Sequence, residues 1–425
     1  MNADVLVLGA GMIGVSSALA LQERGRRVVL VDRVAPGRET SWGNAGMIER
    51  TPVLAFPFPR DLGTVLGVAT GASPLAQLRW SALPTIAPWL LAYARASSPA
   101  GVRAANLAMW PLAREARDRH ARWLDAAGAR ALLRDTGYYE IFDSDAAFDG
   151  QAPDRQFARE HGVRFEICTR AQLREREPAV TGAFRQAVFW QDAASALSPG
   201  EVVEAYARLF TQRGGRFVQA DASALRREAS GFSLPAADNT TAGETLHAAE
   251  VVVALGPWSA ALCQRFGYTP PLLGKRGYSR HYEFDTASAG GHPPPSCPLL
   301  LAERGLVITA MKPGIRITGG IEFARMDAPP TPGAVRRREA AARDLMPSIG
   351  APIESEPWMG RRPALPDMKP VIGRCPTEPG LMLAFGHHHW GFSLGPSTGE
   401  FVAQLLCGEP TIADPAPFAA ERFGR

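Results

Sequence analysis

Apolar residues come first in a short unbroken run, Val5-Leu6-Val7-Leu8, closed at once by Gly9. Such a run is too short for a helix core and reads as a parallel strand buried on both faces. Helical spacing follows over 15–21 and stops at Gly25, and 27–32 reads as a second parallel strand. The same pattern, an apolar run ended by glycine, returns at 250–256 and again at 381–386. Distant stretches are therefore expected to rejoin one sheet, with a last helix beyond Ser397, so that the domains are discontinuous.

Between these returns the periodicity changes. Residues 52–100 combine many prolines with Phe56, Phe58, Trp80, Trp89 and Tyr93. The patch at 83–91 reads as buried core or as a surface for a membrane or an electron acceptor. From 102 to 133, Leu107, Trp110, Leu112, Ala116, Trp123 and Leu124 recur at helical spacing among charges, which predicts one long amphipathic helix. A strand is expected at 137–142 and short helices at 154–161 and 170–178. Ser198-Pro199-Gly200-Glu201 signals a helix start, and a strand follows at 216–220. Short alternating runs at 277–284, 305–310 and 314–320 predict an antiparallel sheet with a turn at Lys312-Pro313-Gly314. A charged helix over 331–345 is expected to turn Arg336, Arg337, Arg338 and Glu339 to solvent.

Composition narrows the function classes. The 425 residues suffice for two domains. Basic residues number 46 against 42 acidic, and the arginines are dispersed, so no nucleic-acid footprint is present. The cysteines, 168, 263, 297, 375 and 407, are isolated and without CxxC spacing, which predicts a reducing compartment and neither a disulfide framework nor a zinc site. Nothing at the start reads as a secretory signal, and no apolar run reaches the length of a membrane span. A soluble cytoplasmic protein is expected, with peripheral association at the inner membrane as the variant.

Candidate chemistry concentrates in the first turn. Gly9, Gly11 and Gly14, with Met12 and Ile13 between them, form a GxGxxG sequence between strand and helix. Gly9 permits the tight turn, Gly11 the approach of a phosphate, and Gly14 close packing of helix on strand. The free N–H groups of the helix start then face an anion. Asp32, which closes the second strand, is placed to accept hydrogen bonds from an adenosine ribose and disfavours a 2′-phosphate. Together these predict dinucleotide binding. The loop 36–48, rich in small and polar residues, reads as a cofactor wrap or as a plain solvated turn. His387-His388-His389 does not read as a metal site, because three adjacent imidazoles cannot converge on one ion and no acid or cysteine is spaced to complete the set.

Several motifs stand in one order from residue 4 to about 400: the Gly9 turn, Thr40-Ser41-Trp42-Gly43-Asn44-Ala45-Gly46, Ala254-Leu255-Gly256-Pro257-Trp258-Ser259, Lys275-Arg276-Gly277-Tyr278, Gly360-Arg361-Arg362-Pro363 and Phe385-Gly386-His387-His388-His389-Trp390-Gly391-Phe392-Ser393. In these the chain resembles the FAD-dependent D-amino-acid dehydrogenase and oxidase superfamily, which includes glycine and sarcosine oxidases and D-hydroxyproline dehydrogenases. The resemblance implies an α/β, Rossmann-type FAD-binding domain formed by 1–95, 195–270 and 346–425. It implies a discontinuous α+β substrate domain formed by 96–194 and 271–345, containing the antiparallel sheet. FAD is expected to be non-covalent, with Cys375 the one cysteine to check as a tether.

What the resemblance implies for single residues follows the cofactor. Gly9, Gly11, Met12, Ile13 and Gly14 would hold the pyrophosphate, and Asp32, with Arg33 beside it, the ribose. Ser41, Gly43, Asn44, Ala45 and Gly46 would lead toward the isoalloxazine. Ala222 would touch the adenine, and Gly256 and Trp258 would pack near the ribityl and diphosphate. Gly360 and Gly386, His387, His389, Trp390, Gly391, Phe392 and Ser393 would lie against the flavin, while His388 and Trp390 depart from the commoner pattern and shape the pocket. Arg362 would pair with the substrate carboxylate, Tyr278 would bring an aromatic hydroxyl to it, and His281 or Tyr282 would line the same wall.

The implied reaction is oxidation of a D-amino acid, or of a cyclic secondary amino acid of the D-proline or hydroxyproline type, to its imine. Hydride passes to flavin N5, driven by the neutral amine's lone pair while the protein supplies alignment. Electrons would go on to a quinone-like acceptor, or to oxygen in an oxidase. A non-catalytic FAD or carboxylate binder and a nicotinamide-dependent dehydrogenase are the competing readings.

Overall fold

The strand Asn2–Leu8 lies at the centre of an eight-stranded sheet, parallel to Val28–Asp32 on one side and to Thr245–Val253 on the other. Arg216–Gln219 extends the sheet beyond Val28–Asp32, and Leu381–Phe385 joins beyond Thr245–Val253, both parallel. The structure is a computed structural model and describes residues 2–51, 55–236, 243–331 and 333–424. Residues 52–54 of the proline-rich stretch lie outside the described residues. Alternation along the first strand feeds two cores, Val5 and Val7 packing on one face of the sheet and Leu6 and Leu8 on the other. Each such side chain contributes about 1.5–3 kcal/mol by leaving water. The helix Met12–Gln22 is buried from Val15 to Leu21 and packs against the C-terminal helix Gly395–Cys407. All the parallel strands end along one edge, where Gly9, Ala254 and Gly386 follow theirs and Asp32 closes Val28–Asp32.

A second, ten-stranded sheet faces that edge. Its middle is antiparallel: Leu273–Phe284 pairs with Ile315–Phe323, which pairs with Leu306–Ala310, and this with Leu299–Leu301. Leu299–Leu301 then runs parallel to Tyr138–Phe142, beyond which lie Gln186–Trp190 and Phe165–Cys168. The domain boundaries drawn from sequence need correction here. Ala76–Leu78 pairs with Ile315–Phe323, and Ile349–Pro352 and Trp358–Ala364 both pair with Leu273–Phe284, although all three fall in ranges assigned to the cofactor domain. The twelve-residue strand Leu273–Phe284 is long enough to offer a whole second edge, and 349–364 completes it. Conversely, Met109, Leu112 and Trp123, from a range assigned to the substrate domain, join the core around Val15 and Leu19.

Three helical expectations also change. The predicted 102–133 helix is two helices, Pro99–Ala113 and Ala116–Ala126, followed by a short 3-10 turn. Pro111 lacks an N–H and weakens the first helix near its end, and the turn at Arg114 and Glu115 buries both Leu112 and Trp123 while Leu107 is 44% exposed. Arg338, expected in solvent, is buried under Gly320, where its NH2 donates to the Pro74 carbonyl at 3.1 Å. The helix start expected at Ser198-Pro199 is present, in the helix Pro199–Gln212, without a cap hydrogen bond from the Ser198 side chain. The patch at 83–91 is neither wholly core nor wholly surface: on the helix Leu83–Ala96, Ile86, Trp89 and Tyr93 are buried and Leu91 is exposed. Among the described residues no helix is long and apolar enough to cross a membrane.

Candidate active site

Between the two sheets runs a cavity of about 1110 Å³, from the Gly9 turn and Asp32 to Arg362. At the turn, Gly9 adopts φ +104°, and a Cβ there would collide with the Ala254 carbonyl. Gly11 has no such neighbour. A Cβ on it would meet only the Ser41 hydroxyl, at 3.7 Å, so its bare backbone faces the cavity. Ser41 Oγ accepts from the Met12 N–H at 3.2 Å, at the very start of the helix. The Asp32 carboxylate accepts from the Ala10 N–H (2.6 Å) and the Val34 N–H (3.2 Å), and burial pushes its pKa up. Arg33 stacks its guanidinium 4.3 Å over the Trp258 ring. Ile13, Ala222 and Gly256 line the same end. An open helix N-terminus, a bare glycine and a carboxylate at the second strand end fit the pyrophosphate and ribose of FAD.

The loop carrying Gly43, Asn44, Ala45 and Gly46 is fixed from the second sheet. Arg316 NH1 donates to the carbonyls of Trp42 (2.9 Å) and Asn44 (2.7 Å), and Thr309 Oγ1 to that of Ala45 (3.1 Å). Asn44 Oδ1 accepts from the Gly46 N–H at 2.8 Å. The Trp358 ring lies so close to Gly43 and Gly360 that a Cβ on either would collide with it. Opposite, the segment 386–393 leads into the Gly395–Cys407 helix. His387 reaches Thr398 Oγ1 (3.1 Å), His388 is turned by a left-handed φ of +53° onto the backbone of Leu365, and His389 stays in the cavity wall edge-on to Phe56. The three imidazoles therefore diverge. Burial pushes His387 and His389 down to about 3, so both are neutral at ordinary pH. Trp390, Gly391 and Phe392 also line the cavity, and the Ser393 hydroxyl donates to the Met47 carbonyl at 2.9 Å. Cys375 packs against Thr377 and lines no part of the cavity.

Arg362 stands at the other end. It is on Trp358–Ala364, directly across from Lys275 on Leu273–Phe284. Its NH1 donates to the carbonyls of Gly320 (2.8 Å) and Arg276 (3.4 Å), and its guanidinium lies over Gly277, where a Cβ would collide with it. No carboxylate pairs with Arg362 among the described residues. Burial, then Arg338, lowers its pKa to about 10, which leaves it a cation at neutral pH.

Two expected neighbours do not join it as active groups. Tyr278 borders the cavity, but strand parity turns its side chain to the opposite face from Lys275 and Arg362, with Arg276 and Arg361. Its hydroxyl donates to Glu322 Oε2 (2.7 Å) and accepts from the Thr331 N–H (2.8 Å). His281 shares the parity of Lys275 but sits six residues along the strand and lines no part of the cavity. Its Nδ1 pairs with Glu354 and its Nε2 accepts from Arg316 Nε at 2.9 Å, so it supports the arginine that grips the 42–44 loop. Tyr282 is likewise committed, to Glu339.

Several residues at the cavity were not singled out from sequence. Lys275 is 4% exposed, and its ammonium lies over the rings of Tyr93 (4.3 Å), Trp89 (5.0 Å) and Phe323 (5.8 Å). In a far lobe, Tyr138 donates to Glu49 (3.2 Å) and the Trp190 indole to Glu140 (3.0 Å); burial pushes Glu49 up to about 8 and raises Glu140 as well. Behind the 386–393 segment, buried His120 bonds Tyr206 through Nδ1 (2.7 Å) and the Phe392 carbonyl through Nε2 (3.0 Å).

The fold and this cradle define an FAD-dependent oxidoreductase. The family model described as FAD dependent oxidoreductase (DAO) matches residues 4–405, and the chain belongs to that family. It is 31% identical to a D-amino-acid oxidase of Bradyrhizobium diazoefficiens, over 99% of this chain and 98% of that one. It is 27% identical to D-amino acid dehydrogenase 1 of Mesorhizobium japonicum, over 99% of each. In fold it is similar to glycine oxidase from Geobacillus kaustophilus, with TM-score 0.75 at 22% identity over 99% of each chain.

Proposed function

We propose that the protein oxidises the CH–NH bond of a D-amino acid, or of a cyclic secondary amino acid of the D-proline type, to an imine and hands the electrons to a quinone-like acceptor. The observation that carries this reading is Arg362, a half-buried cation in the cavity wall with only backbone carbonyls as partners among the described residues. A planar carboxylate answers its free donors in two parallel hydrogen bonds and fixes the direction of the α-carbon. FAD, when bound, supplies the hydride acceptor at N5.

The protein's own residues supply alignment and charge. The positive charge of Arg362 favours the neutral form of a substrate amine over its ammonium form, and the neutral form has the lone pair that can expel hydride. His387 and His389, neutral through burial, add no competing charge. His389 and Trp390 wall the cavity with apolar surface around the reacting carbon. The product imine hydrolyses in water, or persists when cyclic. For the acceptor, support comes from the helix Leu62–Thr70, which turns Thr64, Val65 and Val68 to the cavity and leaves Leu62 and Leu66 exposed, an apolar approach. Oxygen is the second reading, favoured by the name of the Bradyrhizobium relative.

The test mixes the yellow holoprotein anaerobically with D- and L-amino acids, glycine, sarcosine and proline isomers, then admits oxygen or a quinone analogue. Bleaching by D-configured or cyclic substrates and faster recovery with quinone is the expected result. Bleaching confined to L-amino acids, or none, would overturn the reading.

A further inference from the structure

We infer that Lys275 forms, beside Arg362, a second cationic subsite for a side-chain carboxylate, so that the preferred substrates are acidic D-amino acids. The inference rests on the reading of Arg362 given above and adds the substrate class.

Lys275 and Arg362 are directly paired across adjacent antiparallel strands, with Cβ atoms about 5 Å apart and on the same face. Both line the cavity, Lys275 buried and Arg362 half-buried. Buried cations are ordinarily paired, because desolvation of an uncompensated charge costs several kcal/mol. Lys275 has no hydrogen bond or ion pair among the described residues; its partners are the three rings of Trp89, Tyr93 and Phe323. The ring faces attract an ammonium and leave its N–H donors for an acceptor in the cavity, where a carboxylate would offset the cost of its burial.

Among the described residues no acid is paired with Lys275. Glu322, on the neighbouring strand, is committed on the other face to Arg79, Tyr278 and Thr331. Glu140 lies on Tyr138–Phe142, which is separated from Leu273–Phe284 by three intervening strands. His388 and His389 are the remaining titratable groups near Lys275, and both are driven neutral. Charge decides what fits. A neutral amino acid with its amine deprotonated brings one negative charge and answers one of the two cations. An acidic amino acid in the same state brings two and answers both. The alternative, two cations clamping one α-carboxylate, leaves the site with a net positive charge that no paired carboxylate among the described residues offsets.

The experiment compares wild type, K275M and K275R, each loaded with FAD. Anaerobic flavin reduction is followed with D-glutamate, D-aspartate, D-alanine, D-leucine and D-arginine, and binding of succinate and propionate by thermal shift of the protein without substrate. Wild type is expected to favour the acidic pair by about tenfold or more and to bind succinate more tightly than propionate. K275M should lose that preference with neutral substrates little changed, and K275R should keep most of it. Equal losses with all substrates in K275M would assign Lys275 to the α-carboxylate and overturn the inference, as would a wild type that prefers neutral or cationic side chains. Should K275M fail to fold, the wild-type preference and the K275R comparison still decide. Bleaching by neutral D-amino acids alone defeats this inference and leaves the proposed function standing, whereas bleaching by no amino acid defeats both.

Discussion

Arg362 holds its position through a neighbour that has no side chain. Gly277 leaves the space the guanidinium occupies, so G277A is expected to displace it, with the strand conformation unstrained because Gly277 lies outside the left-handed region. Substrate dissociation constants should rise about tenfold or more while flavin content stays unchanged, as read by anaerobic titration of the flavin spectrum. Lys275 makes binding pH-dependent. Burial first, then Arg362, lowers its pKa to about 7. The ammonium is present below that value, and a bound carboxylate stabilises it, so succinate affinity should be full below about pH 7 and weaken as pH rises through it. K275R should hold its affinity to higher pH, which calorimetric titration from about pH 6 to about pH 9 would check. At this scale the sequence was half legible. Arg362 stands in a motif, but whether Lys275 or Tyr278 shares its face depends on strand register, which only pairing with 358–364 defines. A lone lysine beside a conspicuous Arg-Gly-Tyr gave no signal of its own, although counting alternate positions from Gly277 places it opposite Tyr278.

Among the elements, the 41–46 loop depends on the sheet beneath it. Arg316 is the link, gripping two loop carbonyls while His281 and Glu354 steady its far side. R316M is expected to weaken FAD binding about tenfold by freeing those carbonyls, with H281Q milder, as measured by flavin fluorescence on dialysis. On the opposite wall, H120A leaves the Phe392 carbonyl without its buried donor and should cost about 1–3 kcal/mol of stability, seen as a lower Tm. The strands and turns around the cofactor were readable, since short apolar runs ended by glycine carry their own boundary. His120 was not, because a histidine within an amphipathic stripe looks like any other polar position until its helix is packed against 386–393. The single long helix predicted over 102–133 is interrupted at 114–115, past Pro111, and its second part ends before Gly128, which adopts φ +63°.

For the whole molecule, both sheets are assembled from distant parts of the chain, and the cavity lies along their shared edge. FAD held in that seam would bind only the folded state, so it should stabilise the protein by about 2.7 kcal/mol at a hundredfold excess over its Kd, with Tm rising further with FAD concentration. A calorimetric melt at several FAD concentrations checks this. The returns of the parallel sheet were evident in the repeated apolar runs; the crossing of 76–78 and 349–364 into the second sheet was not, because short strands declare their partners only through the edges left open to them. The central claim is that this seam orients an amino acid by its carboxylate on Arg362. Its most direct test is the anaerobic rate of flavin bleaching by a D-amino acid in wild type against R362M. Wild type should bleach, and R362M should retain its flavin but bleach about a hundredfold or more slowly at low substrate. An R362M protein that keeps its flavin and bleaches at the wild-type rate would contradict the account.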